Sequence, residues 1–183
     1  NHKTISKEKE DANKKVLLSV IKKQKPNLIM FNGHGSPKEI CGHKQEVIIS
    51  SDENPDLLKD TITYSLSCSS AAVLGPKSVD KGAVCFIGYE RDFALGKDPE
   101  SEASPRHDRI VKLFLEPSNL LFASLLEGKS VKVSVEKAKK KMLDNVWYLN
   151  TTDSFPEAIY YAPFLFGNYS GLAAHGDEEA SVQ

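Results

Sequence analysis

Two short segments of this chain share one pattern, an apolar run that ends in small polar residues. Residues 27–36 read Asn-Leu-Ile-Met-Phe-Asn-Gly-His-Gly-Ser, and residues 62–71 read Ile-Thr-Tyr-Ser-Leu-Ser-Cys-Ser-Ser-Ala. Each run has the length and residue types of a buried strand that leads into a loop. The first loop carries His34 between two glycines, and the second begins at Cys68. If the two strands are parallel neighbours, both side chains emerge at one sheet edge, where open α/β sheets place their sites.

The bulk composition is that of an ordinary globular domain. The chain has 183 residues, of which 40% are hydrophobic and 27% are charged, so one domain can bury a substantial core. We expect that domain over residues 1–175, followed by a disordered, acidic tail over residues 176–183. The formal net charge of -1 gives no electrostatic reason to expect nucleic acid or an anionic membrane as a partner. No apolar run has the length of a membrane span, and no segment resembles a signal peptide.

The cysteines and the start of the chain bear on where the protein works and how much of it is present. Cys41, Cys68 and Cys85 are odd in number and have no disulfide-framework spacing. They favour a reduced, cytoplasmic protein and leave a secreted one open. Residues 1–15 are very polar, and the first strand-like run begins only at residue 27. We therefore expect a piece of a larger protein that begins inside a helix.

Apolar periodicity and turn residues predict the remaining elements. Helices are predicted over residues 6–24 with Ser6 as the cap, 54–60 and 130–149, and residues 110–127 form either one helix interrupted at Pro117 or two. Strands are predicted over residues 27–31, 62–67, 83–89 and 162–166, with a hairpin over residues 40–50 and a mobile loop over residues 96–106. Strands separated by helices predict a three-layer αβα sandwich with a largely parallel sheet.

The chemistry of a cysteine and a histidine at one sheet edge is nucleophilic catalysis. A nearby histidine favours the thiolate, which makes Cys68 a candidate nucleophile and His34 its base. Glycines beside the histidine let a substrate backbone approach closely. The N–H groups of Gly35 and Cys68 could then hold the oxyanion of a tetrahedral intermediate. The alternative is that Cys68 is an inert thiol at a strand end and His34 a turn residue.

These motifs, in this order, resemble the caspase–gingipain–separase clan of cysteine peptidases, with its gingipain-like and CHAT branches the nearest. The matching features are Asn-Gly-His-Gly-Ser after the first strand, Ser-Cys-Ser-Ser after the second, and Lys-Gly-Ala-Val-Cys-Phe-Ile-Gly-Tyr at residues 81–89. The helix over residues 130–149 resembles the long helix of gingipain-like domains. Phe166-Gly167-Asn168 lies where many of them carry Phe-Gly-Asp-Pro, and here the Asp-Pro is absent. The resemblance covers residues 27–170.

The resemblance implies a caspase-like fold and a cysteine endopeptidase that works through a Cys–His dyad and an acyl-enzyme. Cys68 would be the nucleophile and His34 the general acid/base, with the N–H groups of Gly35 and Cys68 as the oxyanion hole. Glu90 and Asp92 follow the third strand, near where such enzymes shape the pocket for the residue before the scissile bond. Acidic side chains there would favour Arg or Lys in a peptide or protein substrate, although a solvated charged turn is an equally open interpretation.

One departure from the clan concerns the strands before the His-Gly segment. Clan members place one or two strands there, whereas this sequence predicts only a helix. We expect either that those strands are missing or that another chain or domain completes the sheet. Such peptidases are commonly gated, and residues 92–106 are the candidate mobile or cleavable segment. Two alternatives stay open, a non-catalytic interaction or regulatory domain of this fold and a cysteine-dependent hydrolase of small molecules.

The other candidate residues carry weaker arguments. Cys41 and His43 suggest zinc, but their spacing is unusual for a ligand pair and a complete ligand set is missing. Cys85 fits the core, and His107 and His175 fit solvated positions. Ser69 and Ser70 lack the Gly-x-Ser-x-Gly context of a nucleophilic serine. Trp147, Tyr148, Tyr160 and Tyr161 are interpreted as the core and rim of the C-terminal packing. Because no phosphate loop or dinucleotide fingerprint is present, we expect no cofactor.

Overall fold

The computed structural model describes residues 3–98, 108–152 and 157–182, and within those ranges the chain forms five α-helices and six β-strands. In chain order they are α1 (Lys14–Gln24), β1 (Leu28–Asn32), β2 (Glu39–Cys41), β3 (Val47–Ser50), β4 (Ile62–Leu66), α2 (Leu74–Asp80), β5 (Cys85–Tyr89), α3 (Arg109–Leu126), α4 (Val131–Thr151), α5 (Ala158–Gly171) and β6 (Leu172–Gly176). Much of the predicted loop over residues 96–106 and all of His107 lie outside the described residues.

The main sheet has the strand order β1-β4-β5-β6. Strands β1, β4 and β5 are parallel, and β6 pairs antiparallel with β5. Strands β2 and β3 form a separate antiparallel pair, which is the predicted hairpin. The prediction of a mixed α/β fold with a mainly parallel sheet is therefore confirmed.

Alternation along the strands sends side chains into an apolar cluster on each face of the sheet. Ile62, Tyr64 and Leu66 of β4 pack in a cluster with α3, α4 and α5. Ile29 and Phe31 of β1 join the other cluster, to which the hairpin and helices α1 and α2 contribute. Helices thus cover both faces, an arrangement compatible with an αβα sandwich. At the carboxyl ends of the strands, residues 32–34 and 90–92 remain exposed.

The first helix begins later than predicted. Helix α1 begins at Lys14, and the side chain of Asn13 caps it by accepting a hydrogen bond of 2.9 Å from the N–H of Val16. The prediction of Ser6 as the cap is wrong. Asparagine is as strong an N-cap as serine, and the stretch before it has no apolar stripe to pack. Residues Lys9–Asp11 form only a short 3-10 turn.

The predicted strand over residues 162–166 is also wrong, because this segment lies within helix α5. Its buried positions Ala158, Ala162 and Leu165 recur at helical spacing. Pro163 lies inside the helix. A short apolar run does not by itself distinguish a strand from a buried helix, and the sequence between residues 158 and 171 has no charged side chain to mark a solvent face.

The last described residues differ from the expected disordered tail. The carbonyl of Ala180 accepts a hydrogen bond of 2.9 Å from the N–H of Val131, and that of Glu178 accepts one of 2.8 Å from Lys132. Val182 is 8% exposed and belongs to the core. The first N–H groups of a helix have no partner inside the helix, so the tail supplies acceptors to the start of α4.

The long C-terminal helices otherwise follow the sequence. Helix α3 is one helix that continues through Pro117. Helix α4 begins after Ser130, whose hydroxyl accepts a hydrogen bond from the N–H of Val133. No helix in the described ranges combines the length and the apolar character needed to cross a bilayer.

Several large apolar side chains of α4 and α5 face solvent. Trp147 is 70% exposed and Tyr160 71%, so of the aromatic residues predicted to form the core and rim of the C-terminal packing, these two do not lie in the core. Ile159, Phe164 and Phe166 of α5 are also at least half exposed. The inner face of α5 covers the sheet while its outer face remains largely apolar.

Candidate active site

The pairing of β1 with β4 brings the two candidate loops to one edge of the sheet. Asn32 lies beside Leu66 in the parallel register, and the N–H of Gly33 donates a hydrogen bond of 3.2 Å to the carbonyl of Leu66. His34 and Cys68 each lie two residues beyond that matched pair. The strand arrangement from which the site was predicted is therefore present.

The loop that carries His34 is held by the β2–β3 hairpin. The carbonyl of His34 accepts a hydrogen bond of 2.9 Å from the N–H of Cys41, and the N–H of Ser36 donates one of 2.9 Å to Glu39. The His34 side chain itself is exposed. The backbone of the histidine is thus fixed, while its imidazole is open to solvent.

Gly35 lies against the residue that precedes Cys68. A Cβ atom at Gly35 would lie 2.8 Å from Oγ and 2.9 Å from Cβ of Ser67, both too short for real side chains. Only glycine allows the histidine loop to come this close to the end of β4. Among the described residues, the N–H groups of Gly35 and Cys68 donate no backbone hydrogen bond, so both are available as the predicted oxyanion donors.

Cys68 lies at a sharp bend at the end of β4. The next residue, Ser69, has a positive φ of 54°, the left-handed conformation that non-glycine residues rarely adopt. Its N–H donates a hydrogen bond of 3.0 Å to the carbonyl of Arg91. The Cys68 Sγ atom is half-buried and lies 3.9 Å from the carbonyl oxygen of Phe93. The bend is therefore tied to the segment that follows β5.

Hydrogen bonds between buried hydroxyl groups stabilise this bend. The Oγ atoms of Ser65 and Ser67 lie 2.6 Å apart, and Ser70 donates a hydrogen bond of 3.0 Å to Ser65. All three side chains are buried, and buried hydroxyls need such partners. Ser70 thus has a structural role, and the serines near Cys68 are explained without nucleophilic chemistry.

The structure separates the two predicted substrate-binding carboxylates. Asp92 lies at the Cys68 bend, where its Oδ1 atom accepts a hydrogen bond of 2.6 Å from the hydroxyl of Ser69. Glu90 instead lies beside β6, with Oε1 3.4 Å from Nε2 of His175. The expectation that His175 is solvated is wrong, because it lies in β6 opposite Phe86 with a side chain only 26% exposed.

Sequence reasoning missed the side chains that hold the segment after β5. Asn168 of α5 accepts a hydrogen bond of 2.9 Å from the N–H of Ala94 and donates one of 2.8 Å to the carbonyl of the same residue. The hydroxyl of Tyr161 donates one of 2.8 Å to the carbonyl of Lys97. The Phe-Gly-Asn triplet at residues 166–168 is predicted to lie in a turn, whereas it lies in α5, so local sequence gives no indication of these contacts.

The other two thiols lie in less reactive surroundings. Burial raises the pKa of Cys85 to about 12, with further contributions from the negative charges of Glu178 and Asp177. Cys85 is fully buried, which confirms its place in the core. Burial and the charge of Glu39 also raise the pKa of Cys41. A thiol reacts as its thiolate, so these shifts make both side chains weaker nucleophiles at neutral pH.

The potential metal ligands of the described residues are dispersed. Across residues 3–98, 108–152 and 157–182, the histidine, cysteine and carboxylate side chains form no group of three or more that could hold a metal ion. Cys41 and His43 therefore lack the further ligands that a zinc site needs.

A groove of about 610 Å3 lies elsewhere, between α3 and α4. Its lining mixes cations such as Lys112 and Lys141 with carboxylates such as Glu116, and it includes none of the predicted site residues. The candidate residues His34 and Cys68 lie at the sheet edge instead. This chain matches no protein-family model, and a search of curated proteins also found no match.

Proposed function

We propose that this chain is a cysteine endopeptidase domain of caspase-like fold, with Cys68 as the nucleophile and His34 as the general acid/base. The observation that carries the proposal is the parallel register of β1 and β4, which leads the two loops to one sheet edge. The close approach of Gly35 to Ser67 adds to it. The proposed reaction uses side chains and main-chain groups alone and needs no cofactor.

In the proposed reaction, the Cys68 thiol transfers its proton to His34 and the sulfur attacks the carbonyl carbon of a peptide bond. The carbonyl oxygen becomes an oxyanion, which accepts hydrogen bonds from the N–H groups of Gly35 and Cys68. Collapse of this intermediate breaks the C–N bond, and the departing amine takes the proton from His34. The remaining thioester is cleaved by water, from which His34 removes a proton, and Cys68 regains its thiol.

For the substrate residue before the scissile bond, we propose a preference for arginine or lysine set by Asp92. Its contact with Ser69 keeps the carboxylate next to the Cys68 bend. Glu90 is a weaker candidate because its carboxylate lies beside His175. A carboxylate pairs with a guanidinium or ammonium group through charge-assisted hydrogen bonds.

A second candidate function is a non-catalytic interaction domain of the same fold. The exposed apolar outer face of α5 favours it, since Tyr160, Phe164 and Phe166 are at least half exposed. Contiguous exposed apolar surface commonly marks a protein-binding site. This alternative predicts a thiol that alkylates normally but does not respond to peptide reagents.

The test is covalent labelling by peptidyl acyloxymethyl ketones that end in Arg, Lys, Asp, Leu or Met, followed by intact-mass measurement. We expect one adduct at Cys68 that is lost in Cys68→Ala and strongly reduced in His34→Ala. A Cys41→Ala variant is the matched control and should label normally. If iodoacetamide modifies Cys68 while no peptidyl reagent does, the interaction-domain alternative replaces the peptidase proposal.

A further inference from the structure

The segment that passes Cys68 has no regular secondary structure of its own. Residues 92–97 follow β5 and contain neither helix nor strand. Phe93 contributes a ring contact with Tyr89, at 4.9 Å between ring centroids. Ser69 bonds to Asp92, and Ile110 and Phe114 of α3 lie close to Gly96. From α5, Asn168 bonds to Ala94 and Tyr161 bonds to Lys97. The position of this segment beside the sulfur therefore depends on side chains far along the chain.

The side-chain amide of Asn168 makes two hydrogen bonds to the main chain of Ala94. Its Oδ1 atom accepts from the Ala94 N–H at 2.9 Å, and its Nδ2 atom donates to the Ala94 carbonyl at 2.8 Å. The side chain is 1% exposed, so neither group has water as a substitute partner. An amide offers both a donor and an acceptor, whereas an ionised carboxylate offers only acceptors. The pair of bonds thus fixes both the place and the orientation of Ala94.

Ala94 is adjacent to the groups that border the sulfur. The carbonyl oxygen of Phe93 lies 3.9 Å from Sγ of Cys68. One residue earlier, Asp92 accepts the 2.6 Å hydrogen bond from Ser69. A shift of Ala94 would move both the Phe93 carbonyl and the Asp92 carboxylate relative to Cys68. Residues 92–94 form one wall of the Cys68 site, and we call them the Cys68 wall.

We propose that Asn168 is a positioning residue, which holds the Cys68 wall where a peptide must lie for attack by the sulfur. This inference rests on the proposed peptidase function. Asn168 does not touch the reacting atoms, so its loss should slow reaction with a peptide far more than reaction with a small alkylating agent. Misplacement of a substrate by about 1 Å lowers reaction rates by as much as about 100-fold.

The two substitutions that test the proposal differ in what they remove. Asn168→Ala removes both hydrogen bonds to Ala94. Asn168→Asp keeps an acceptor for the N–H but places a negative charge against the Ala94 carbonyl. When that carboxyl is protonated it regains a donor, so the substitution should be rescued as the pH falls.

The experiment compares two rate constants for modification of Cys68, one with the Arg-ended acyloxymethyl ketone and one with iodoacetamide, read by intact mass. For Asn168→Ala we expect the peptidyl rate to fall about 10- to 100-fold and the iodoacetamide rate to stay within about twofold. For Asn168→Asp we expect the same loss at neutral pH. At about pH 5, its peptidyl rate constant should approach that of the wild type measured at the same pH.

Asn145→Ala is the matched control. Asn145 is also a buried asparagine, 3% exposed, and donates a hydrogen bond of 2.8 Å to the carbonyl of Leu113, away from Cys68. Its loss should lower stability without changing the ratio of the two rates. If Asn168→Ala leaves the ratio of the peptidyl rate to the iodoacetamide rate unchanged, the proposed positioning role is wrong.

A failure of the peptidase proposal would look different. The wild-type protein would then react with iodoacetamide at Cys68 but with no peptidyl reagent. In that case, amide hydrogen exchange measures whether Asn168 fixes the main chain of the Cys68 wall. Faster exchange over residues 92–97 in Asn168→Ala, but not in Asn145→Ala, supports it, and unchanged exchange overturns it.

Discussion

Ser69 donates a 2.6 Å hydrogen bond to Asp92 across the gap between the ends of β4 and β5. Ser69 has a left-handed backbone and directly follows Cys68, and Asp92 is exposed to solvent. The bond therefore couples the shape of the bend to the position of a carboxylate that is open to solvent.

The first prediction concerns substrate charge. We expect Asp92→Asn to lower the rate of Cys68 labelling by Arg- and Lys-ended peptidyl reagents about tenfold, because a charge-assisted hydrogen bond is lost. Labelling by the Leu-ended reagent should change little. Glu90→Gln is the control, since Glu90 lies beside His175, and an equal effect of the two substitutions would contradict the assignment to Asp92.

The second prediction concerns the close approach of the two loops. Gly35→Ala places a Cβ atom 2.8 Å from Oγ of Ser67. The loops must move apart to accommodate it, which should lower the free energy of unfolding by about 1–3 kcal/mol. Urea denaturation measures the change. Gly167→Ala is the matched control, because a Cβ atom there meets nothing within 4 Å and the substitution favours the helix. If Gly35→Ala is as mild as Gly167→Ala, the loops are not held as described.

The Gly35 substitution also has a specific rescue. Ser67→Gly removes both atoms that the new Cβ would overlap. The double variant should therefore lose less stability than the sum of the two single variants. Independent losses that simply add would show that the two residues do not meet.

The third prediction concerns stability at high pH. Burial raises the pKa of Cys85 from 9.0 to about 12 and that of Tyr64 from 10.0 to about 12. The folded protein holds these protons more tightly than the unfolded chain, so stability is complete below pH 9 and falls as the pH rises toward 12. Each group contributes a slope of at most about 1.4 kcal/mol per pH unit.

Urea denaturation across this pH range tests the third prediction. Cys85→Ala removes the titrating thiol and leaves a small cavity whose cost does not depend on pH, so it should lower the whole curve but flatten the loss of stability that begins near pH 9. Cys41→Ala is the comparison, because the pKa of the half-buried Cys41 is also raised but by less than that of Cys85, so its removal should flatten the curve less. A wild-type curve that is flat to pH 11 would contradict the burial of both protons.

The fourth prediction concerns the C-terminal residues that contact α4. Val182→Ala removes apolar area from the core, where Val182 is 8% exposed, and should lower the free energy of unfolding by about 1–2 kcal/mol. Truncation after Gly176 should cost more, because the acceptors for Val131 and Lys132 are lost as well. Glu179→Gln is the control, since its ion pair with Lys132 is exposed. Equal stabilities for all three variants would mean that the tail does not dock.

Local patterns were enough to predict the three parallel strands. The runs that become β1, β4 and β5 are short, apolar and followed by turn residues, and burial on both faces of a parallel sheet requires such runs. The order of these strands along the chain then places the loops of His34 and Cys68 together. Both steps use only neighbouring residues and a general rule of α/β sheets.

The parts that the sequence did not predict depend on distant contacts. Helix α5 has no charged residue to reveal its period, so its apolar run was interpreted as a strand. The contact of Glu90 with His175 requires β6, and the bonds of Asn168 to Ala94 require α5 to lie over the sheet. Local sequence patterns indicate the candidate site residues more readily than the distant residues that hold them in place.

Helix α5 passes into β6 without an intervening loop, since Gly171 ends the helix and Leu172 begins the strand. Leu172 in turn pairs with Tyr89 of β5. No linker separates the two elements, so a displacement of α5 along the sheet would disturb the pairing of β6 with β5. Asn168 therefore belongs to a helix that is joined directly to a strand of the sheet. We expect the main chain of the Cys68 wall to fluctuate as little as the strands that end beside it.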